Sequence, residues 1–241
     1  MNAKLSLSIV IPIFNEGQAL LSNLKEVESF LLKSNFNYEL ILVDDGSTDN
    51  SVAIIEKFIS AQPSILLIKN NINRGKGFSL RAGIARATRK HILFMDADLS
   101  TPLSELGKFI DQASQAPLLI GSRRACGGLI LIHQPHWKEF FGLAGNLLIR
   151  TVLRLPFYDT QCGFKLLSST LKPLVARTTI DRWGFDIELL YLARKYAYEI
   201  REIGVNWRND TDSKVTLSAY FRTLGEVVKI KFNDWRGRYT L

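Results

Sequence analysis

Two aspartates stand one residue apart where an apolar run ends. Residues 91–95 read as a buried strand, and Asp96 and Asp98 follow it directly. In an open parallel sheet, ligands bind at the carboxyl ends of the strands, and two carboxylates this close in sequence can share one divalent cation. Such hard oxygen ligands suit Mg²⁺ or Mn²⁺. The pair therefore predicts a metal site formed by Asp96 and Asp98.

The same stretch also has a purely structural interpretation. Asp98 can start a turn, Thr101 can cap the next helix, and Pro102 can occupy the first helical position. The two interpretations are compatible, so the support for a metal site depends on what the rest of the chain contains.

Polar motifs follow three further predicted strands. They are Asn15-Glu16 after the first strand, Asp44-Asp45 after the second and residues 73–77 after the third. Because the carboxyl ends of parallel strands share one edge, we expect these motifs to converge with Asp96 and Asp98. Two acidic pairs at one edge repel each other unless hydrogen bonds and a cation offset their charge.

A nucleotide diphosphate carried on a metal satisfies that arrangement. Asp44 or Asp45 can accept hydrogen bonds from a base or ribose, while Asp96 and Asp98 hold a metal that bridges the diphosphate. The string Gly75-Lys76-Gly77 permits close backbone approach near the nucleotide, although it is not a P-loop.

The elements that position these motifs alternate between strands and helices. Strands are predicted at 7–14, 38–43, 64–68, 91–95, 118–120 and 200–207, with helices after the first three and at 102–113, 137–155, 184–196 and beyond 215. Residues 125–135 read as a mobile loop. The alternation predicts a three-layer α/β fold with a mostly parallel central sheet.

Composition fits one such domain, which we place at 1–214, followed by an amphipathic helix and a basic-aromatic tail at 215–241. Of the 241 residues, 46% are hydrophobic and 22% charged, enough for a full core. The net charge of +8 favours anionic partners such as nucleotide or lipid phosphates. Two cysteines and three histidines form neither a disulfide framework nor a zinc pattern. No apolar run approaches the ~20 residues of a spanning helix, so a soluble or peripheral protein is expected.

The segment 137–155 is predicted to be an amphipathic helix. Its polar face carries Lys138, Arg150 and Arg154. A core helix with a solvated cationic face and a helix on a membrane surface both fit this pattern. The apolar face comprises Trp137, Phe140, Phe141, Ala144, Leu147, Leu148, Thr151, Val152 and Leu155.

Several of these strings resemble the family 2 glycosyltransferases of the GT-A fold. The resemblance is carried by residues 9–16, 43–49 and 95–98. Residues 73–77, 121–123, 159–165, 182–186 and 213–214 are similar to one branch, the dolichyl-phosphate glucosyltransferases, with dolichyl-phosphate mannosyltransferases as near relatives. The string Asp159-Thr160-Gln161-Cys162-Gly163-Phe164 is its most specific part.

The resemblance implies an inverting, metal-assisted transfer of one hexose to a polyprenyl phosphate. The expected donor is UDP-glucose, with GDP-mannose as the alternative, and the expected cofactor is Mg²⁺ or Mn²⁺. Carried over by position, Pro12, Asn15, Glu16, Asp44, Asp45 and Lys76 are expected at the nucleotide, and Asp96 and Asp98 at the metal and diphosphate. Arg123, Arg208 and Lys214 are expected to bind phosphates at the reaction centre.

Such an acceptor makes a strong general base less necessary. A phosphate monoester is already largely ionised near neutral pH, so positioning and charge neutralisation should carry most of the rate. Asp186 and Glu188 stand where hydroxyl-directed relatives often keep a basic carboxylate, and Asp159 is a third candidate. Each is equally well interpreted as structural, orienting Arg182 or a backbone amide.

The chain departs from this branch at two places. Residues 125–141 lack the expected arginine-rich stretch and offer His133, His136 and Lys138 instead, and the N-terminal anchor helix of the eukaryotic glucosyl enzymes is missing. We therefore expect the 137–155 helix and the C-terminal helix to dock peripherally on the cytoplasmic face of a membrane, with or without a membrane-protein partner.

Three other functions compete with this hypothesis. A transferase of the same fold that glycosylates a sugar hydroxyl of a surface polysaccharide would need a carboxylate base. A nucleic-acid-binding protein would fit the charge but not the core periodicity of the aromatic residues, so no nucleic acid is expected. A sugar-nucleotide binder without turnover would leave the intact acidic pairs unexplained.

Overall fold

The computed structural model describes residues 5–60, 62, 65–132, 136–209 and 217–240, with only the backbone at 136–138, 217, 218 and 220. The strands are β1 (Leu5–Ile13), β2 (Phe36–Asp44), β3 (Ile65–Lys69), β4 (His91–Met95), β5 (Leu118–Ser122), β6 (Leu129–Ile132), β7 (Phe164–Ser168), β8 (Ile200–Gly204) and β9 (Asn206–Arg208). The helices are α1 (Ala19–Lys33), α2 (Ser51–Ile59), α3 (Lys76–Arg86), α4 (Leu106–Ile110), α5 (His136–Leu153), α6 (Lys172–Ala176), α7 (Phe185–Lys195) and α8 (Leu217–Trp235). Single 3₁₀ turns precede α4 and α6.

A seven-stranded sheet in the order β3-β2-β1-β4-β7-β5-β8 organises the chain. All neighbouring strands are parallel except β7, which runs antiparallel to both β4 and β5. Helices cover both faces, and the buried side chains form two apolar clusters, one on each side of the sheet. The predicted three-layer, mostly parallel α/β fold is confirmed.

Strand β7 is one of the elements that the sequence analysis did not predict. It is five residues long and carries Lys165 at its second position, which interrupts the apolar pattern expected of a central strand. The structure places that lysine inside the sheet, between β4 and β5, with its side chain fully buried.

Three predicted elements differ in detail. Residues 129–132 lie in the segment predicted as a mobile loop but form β6, because they pair with the distant strand β9. The strand predicted at 200–207 is split: β8 pairs with β5, and β9 turns away at Val205 to meet β6. The helix predicted from Pro102 begins instead with a 3₁₀ turn at Leu103, and Thr101 makes no capping bond but lies beside Cys162.

Helix α5 forms where the sequence predicts it, but its apolar face points outward. Asn146, Ile149 and Leu153 face the protein and are buried. Phe140 and Leu147, by contrast, are 66% and 63% exposed. The interpretation of this segment as a core helix with a solvated cationic face is therefore wrong.

The described part of the C-terminal segment packs into the core. Helix α8 contacts α5 and α7, and Val227, Ile230 and Tyr239 join one of the two apolar clusters. Glu226 of this helix accepts a hydrogen bond from the backbone N–H of Gly184, 2.7 Å away. The boundary predicted after residue 214 lies outside the described residues. Among the residues the structure does describe, no helix is both long and apolar enough to span a bilayer.

The buried Tyr239 hydroxyl yields a stability prediction. It donates to Glu188, a fully buried carboxylate that also accepts bonds from Thr179 and Ile180. Tyr239→Phe removes one donor from a buried charge, so the free energy of unfolding should fall by about 1–3 kcal/mol in urea titrations. Tyr198→Phe, at an exposed position, is the matched control and should change it by less than about 0.5 kcal/mol. Equal midpoints for the two variants would contradict the assignment.

Candidate active site

The carboxyl ends of β1 and β2 are joined by direct hydrogen bonds. The backbone N–H of Asp45 donates to the carbonyl of Ile13 at 2.8 Å. Asn15, at a positive φ of 53°, accepts from the backbone N–H of Thr48 through its side-chain oxygen at 2.8 Å, and its own N–H donates to Ser47 Oγ at 3.0 Å. The predicted convergence of the 15–16 and 44–45 motifs is thus present.

The Asp45 carboxylate accepts hydrogen bonds from neighbouring loops of the same chain. The carboxylate is buried and accepts five hydrogen bonds, which hold the loop after β3 and the start of α3. The donors are Asn70 Nδ2 (2.9 Å), Asn73 Nδ2 (2.9 Å), Arg74 N (3.0 Å), Gly75 N (2.7 Å) and Ser79 Oγ (3.0 Å). The neighbouring carboxylate of Asp44 is buried too and accepts from the backbone of Gly46 and Ser47. These contacts position loops, and a direct contact of either aspartate with a nucleotide stays a prediction.

The glycines of the 75–77 string permit a close approach, but to another loop of the same chain. Gly75 has φ 109°, and a Cβ there would lie 2.5 Å from the carbonyl oxygen of Asp181. A Cβ on Gly77 would lie 2.5 Å from the carbonyl oxygen of Ile180. In the described structure the space is filled by residues 180–182, so these contacts do not show the predicted approach to a nucleotide.

Negative and positive side chains alternate from Asp96, which follows β4, to the buried Lys165 of β7. We call Asp96, Lys76, Asp186 and Lys165 the charge chain. Lys76 Nζ lies 2.6 Å from Asp96 Oδ1 and 3.6 Å from Asp186 Oδ2. Lys165 Nζ donates to Asp186 Oδ1. Burial alone would lower the pKa of Lys76, but the carboxylates of Asp96 and Asp186 outweigh it and hold that pKa above its ordinary value.

Asp96 and Asp98 are the type of ligand that a divalent cation bound together with phosphates takes, and their role as metal ligands stays a prediction. Asp98 Oδ1 accepts the backbone N–H of Ser100 at 2.8 Å, so the turn interpretation of Asp98 holds as well. In the part of the chain that the structure describes, no group of three or more His, Cys, Asp or Glu side chains is placed to hold a metal. Mg²⁺ is commonly held by one or two carboxylates plus substrate phosphates, which is the set that this pair offers.

Gly163 adapts the neighbouring loop to Asp96. A Cβ at this position would overlap the Asp96 carboxylate. The glycine in the motif that precedes β7 therefore lets that loop pack directly against Asp96.

Arg123 and Asp159 form a bidentate ion pair. Arg123 Nε lies 2.6 Å from Asp159 Oδ2, and a terminal guanidinium nitrogen lies 2.9 Å from Oδ1. Burial raises the pKa of Asp159, but the guanidinium outweighs that effect and holds it well below its ordinary range. The ring of Trp207 lies 5.3 Å from the guanidinium carbon. Asp159 therefore fixes Arg123, which suits Arg123 for phosphate binding and makes Asp159 a poor base.

The two other base candidates are also engaged. Asp186 is held between Lys76 and Lys165. Glu188 accepts from the backbone of Thr179 and Ile180 at 2.8 Å each, which is the backbone-orienting role that the sequence left open. Arg182 takes no part in these interactions of Asp186 and Glu188. Its guanidinium donates instead to Asn73 Oδ1 at 3.3 Å.

The remaining predicted residues lie around this site or outside the described part. Pro12 is half-buried near the end of β1, and the N–H of Glu16 donates to Ser51 Oγ at 3.0 Å. The N–H of Arg208 donates to the carbonyl of Ser100 at 2.8 Å, which brings the end of β9 to the Asp98 turn. Lys214 and His133 lie outside the described residues, as do the side chains of His136 and Lys138.

Three supporting residues were missed by sequence reasoning. Lys165 closes the charge chain, and a lysine inside an otherwise apolar run was the available signal. Asn146 of α5 accepts from Thr160 at 2.9 Å and donates to the carbonyl of Tyr158 at 2.7 Å. Glu202 accepts the N–H of Asp159 at 2.8 Å, and no sequence pattern pointed to it.

Solved structures with the same fold include two sugar-phosphoglycerate synthases. Glucosyl-3-phosphoglycerate synthase from Mycobacterium tuberculosis, solved with Mn²⁺, UDP and phosphoglyceric acid, superposes with a TM-score of 0.69 at 16% identity, over 98% of this chain and 79% of that one. Mannosyl-3-phosphoglycerate synthase from Rubrobacter xylanophilus gives 0.69 at 15% identity, over 98% and 76%. They establish the GT-A fold of this chain.

Closer relatives are found by sequence. The dolichyl-phosphate beta-glucosyltransferase of Dictyostelium discoideum is 32% identical, over 94% of this chain and 74% of its own length. The human protein of the same name is also 32% identical, over 87% and 69%. The family described as glycosyl transferase family 2 matches residues 8–170. With two thirds of its length inside that match, this chain belongs to glycosyl transferase family 2.

Proposed function

We propose that this protein transfers glucose from UDP-glucose to a polyprenyl phosphate such as dolichyl phosphate, with Mg²⁺ or Mn²⁺ as cofactor. The observation that carries the acceptor class is the state of the three base candidates: Asp159, Asp186 and Glu188 are all held by cations or backbone amides. An acceptor that is already an anion suits a site of this kind, because it needs no proton removed. The dolichyl-phosphate beta-glucosyltransferases among the relatives support glucose and a lipid phosphate.

The proposed donor end is built from Asp96, Asp98 and Lys76. A divalent cation bound by the two aspartates would neutralise the charge that develops on the departing diphosphate. Lys76 adds a fixed positive charge next to Asp96, at 2.6 Å from its carboxylate. Its side chain is only 10% exposed, so this ammonium needs little reorganisation when charge develops.

The proposed acceptor end is built around Arg123. Its guanidinium is oriented by Asp159 and covered by the Trp207 ring, which leaves it preorganised for a phosphate. Arg208 and Lys214 are further proposed phosphate ligands, and the backbone bond from Arg208 to Ser100 puts the first of them beside the Asp98 turn. Holding the acceptor phosphate in line with the sugar is then the main work of these residues.

A sugar-hydroxyl acceptor is less well supported. It requires a carboxylate that accepts a proton in the transition state. Asp186, which stands at the expected position, is nearly fully buried and neutralised by two lysines. A nucleic-acid ligand has no support beyond net charge.

The outward apolar stripes of α5 and α8 support peripheral contact with a membrane. On α5 the exposed apolar residues recur at helical spacing, and on α8 they do so together with exposed basic residues. The α5 stripe comprises Phe140, Leu143, Leu147, Leu148 and Val152, and the α8 stripe Phe221, Val228, Phe232 and Trp235. Lys229, Lys231 and Arg236 flank the second stripe and suit anionic headgroups. Because the two helices pack together, they could bring the acceptor end to the cytoplasmic surface of a bilayer.

The first test measures transfer directly. With Mn²⁺, UDP-glucose and a short polyprenyl phosphate, mass spectrometry should detect the glucosyl lipid, and UDP-glucose should outperform GDP-mannose. Asp98→Ala should lower the rate by about 100-fold or more, because charge stabilisation of the diphosphate is lost. Asp111→Ala, an exposed aspartate at the far end of α4, is the control and should retain full activity. Absence of product with every donor and prenyl phosphate offered would refute the proposal.

The second test concerns the membrane. The double variant Phe140→Ser/Leu147→Ser should reduce co-sedimentation with phosphatidylcholine–phosphatidylserine vesicles by at least about tenfold, since each buried apolar side chain contributes about 1.5–3 kcal/mol. Leu32→Ser changes a 69% exposed leucine on α1 and should leave vesicle binding unaltered. The thermal midpoint of the double variant should not fall, because both side chains are exposed. Equal vesicle binding by wild type and double variant would exclude this surface.

A further inference from the structure

The buried lysine of β7 has no role in the mechanism described so far. Lys165 is 0% exposed, in the middle of the central sheet. Its ammonium donates to Asp186 and to the carbonyl of Cys162, and it lies 5.4 Å from the centre of the Phe94 ring. Burying an ammonium is costly even when it is paired, and apolar replacements of buried ion pairs are often neutral or stabilising. Stability alone therefore does not explain a lysine here.

The geometry suggests what Lys165 does for its neighbours. Asp186 lies between two lysines, bonded to Lys165 and 3.6 Å from Lys76. Lys76 is closer to Asp96, at 2.6 Å. The Asp186 side chain is only 3% exposed, whereas that of Asp96 is 35% exposed. Because attraction between charges is stronger where solvent is excluded, an uncompensated Asp186 would draw Lys76 away from Asp96.

We propose that Lys165 is a positioning residue, which neutralises Asp186 and thereby keeps the Lys76 ammonium beside Asp96 at the donor end of the site. This inference rests on the proposed function only in its view of Asp96 and Asp98 as metal ligands. Residues 163–165, where the chain enters β7, contact both aspartates of the charge chain, since Gly163 packs against the Asp96 carboxylate while Lys165 bonds to Asp186. One short segment thus sets the distance between the metal carboxylate and its neighbouring ammonium.

The proposal predicts two effects of opposite sign for Lys165→Met. With Lys76 drawn to Asp186, no ammonium competes for Asp96, so Mn²⁺ alone should bind several-fold more tightly. The diphosphate of UDP should lose the same ammonium, so UDP affinity at saturating Mn²⁺ should fall by about tenfold or more, and glucosyl transfer by about 100-fold. A general loosening of the fold would instead weaken the binding of Mn²⁺ and of UDP together.

The double variant Lys165→Met/Asp186→Asn provides the matched comparison. It removes both charges, so of the two ion-pair partners described above Lys76 keeps Asp96, and Mn²⁺ and UDP affinities should return toward the wild-type values. This variant leaves neither Lys165 nor Asp186 charged and unpaired, so it keeps the proposal testable if Lys165→Met alone fails to fold. Thermal unfolding of each purified variant identifies those that are folded.

Mn²⁺ affinity is read from the electron paramagnetic resonance signal of free Mn²⁺, and UDP affinity from calorimetry. Opposite shifts in the single variant, reversed in the double variant, support the proposal. A folded double variant whose UDP affinity stays far below that of the wild type overturns it, as do parallel losses of Mn²⁺ and UDP affinity in Lys165→Met. Neither measurement involves the lipid acceptor. A wild type that binds Mn²⁺ and UDP without transferring glucose would therefore refute the proposed function and leave this inference standing.

Discussion

Among the residues that the structure describes, five nearly fully buried carboxylates lie in and around the carboxyl edge of the sheet, and each has to be compensated inside a medium that solvates charge poorly. They are Asp44, Asp45, Asp159, Asp186 and Glu188. An uncompensated carboxylate in such surroundings would cost several kcal/mol or take up a proton. The arrangement of loops, helix starts and cations around this edge follows from that requirement.

The compensation takes two forms with different consequences. Asp45 and Glu188 are satisfied mainly by backbone amides, hydroxyls and side-chain amides, so they fix the loops at 73–75 and 179–180. Asp159 and Asp186 are satisfied by cations, so they fix Arg123 and the two lysines. The first form fixes the backbone of the loops. The second holds positively charged side chains at defined positions where phosphates are proposed to bind.

The sequence was informative where the pattern is local. The strand and helix alternation up to Met95 is visible in the apolar periodicity, and the structure confirms it. The motifs after β1, β2 and β4 share one sheet edge because parallel strands end on the same side. The contacts within that edge were not visible in the same way. The five donors to Asp45 come from residues 70–79, and only the folded loop shows that they use its oxygens.

Strand β7 and helix α5 show why other features could not be read from the pattern. The neighbours of β7 are β4 and β5, which precede it by many residues, and its lysine hides the strand signal. For α5 the periodicity correctly identified an apolar face, but periodicity does not say whether such a face meets the core or the outside. In the structure the side of the helix that carries Asn146, Ile149 and Leu153 turns inward, and Asn146 bonds to the loop at 158–160.

The position of β7 also bears on the order in which the nascent chain can fold. Strands β1 to β4 pair among themselves in parallel and can assemble as soon as they leave the ribosome, but one edge of β4 stays open until β7 has been synthesised. An unpaired edge of that kind is a template for aggregation. Between the synthesis of Met95 and that of Phe164, the partner strand for this edge of β4 does not yet exist.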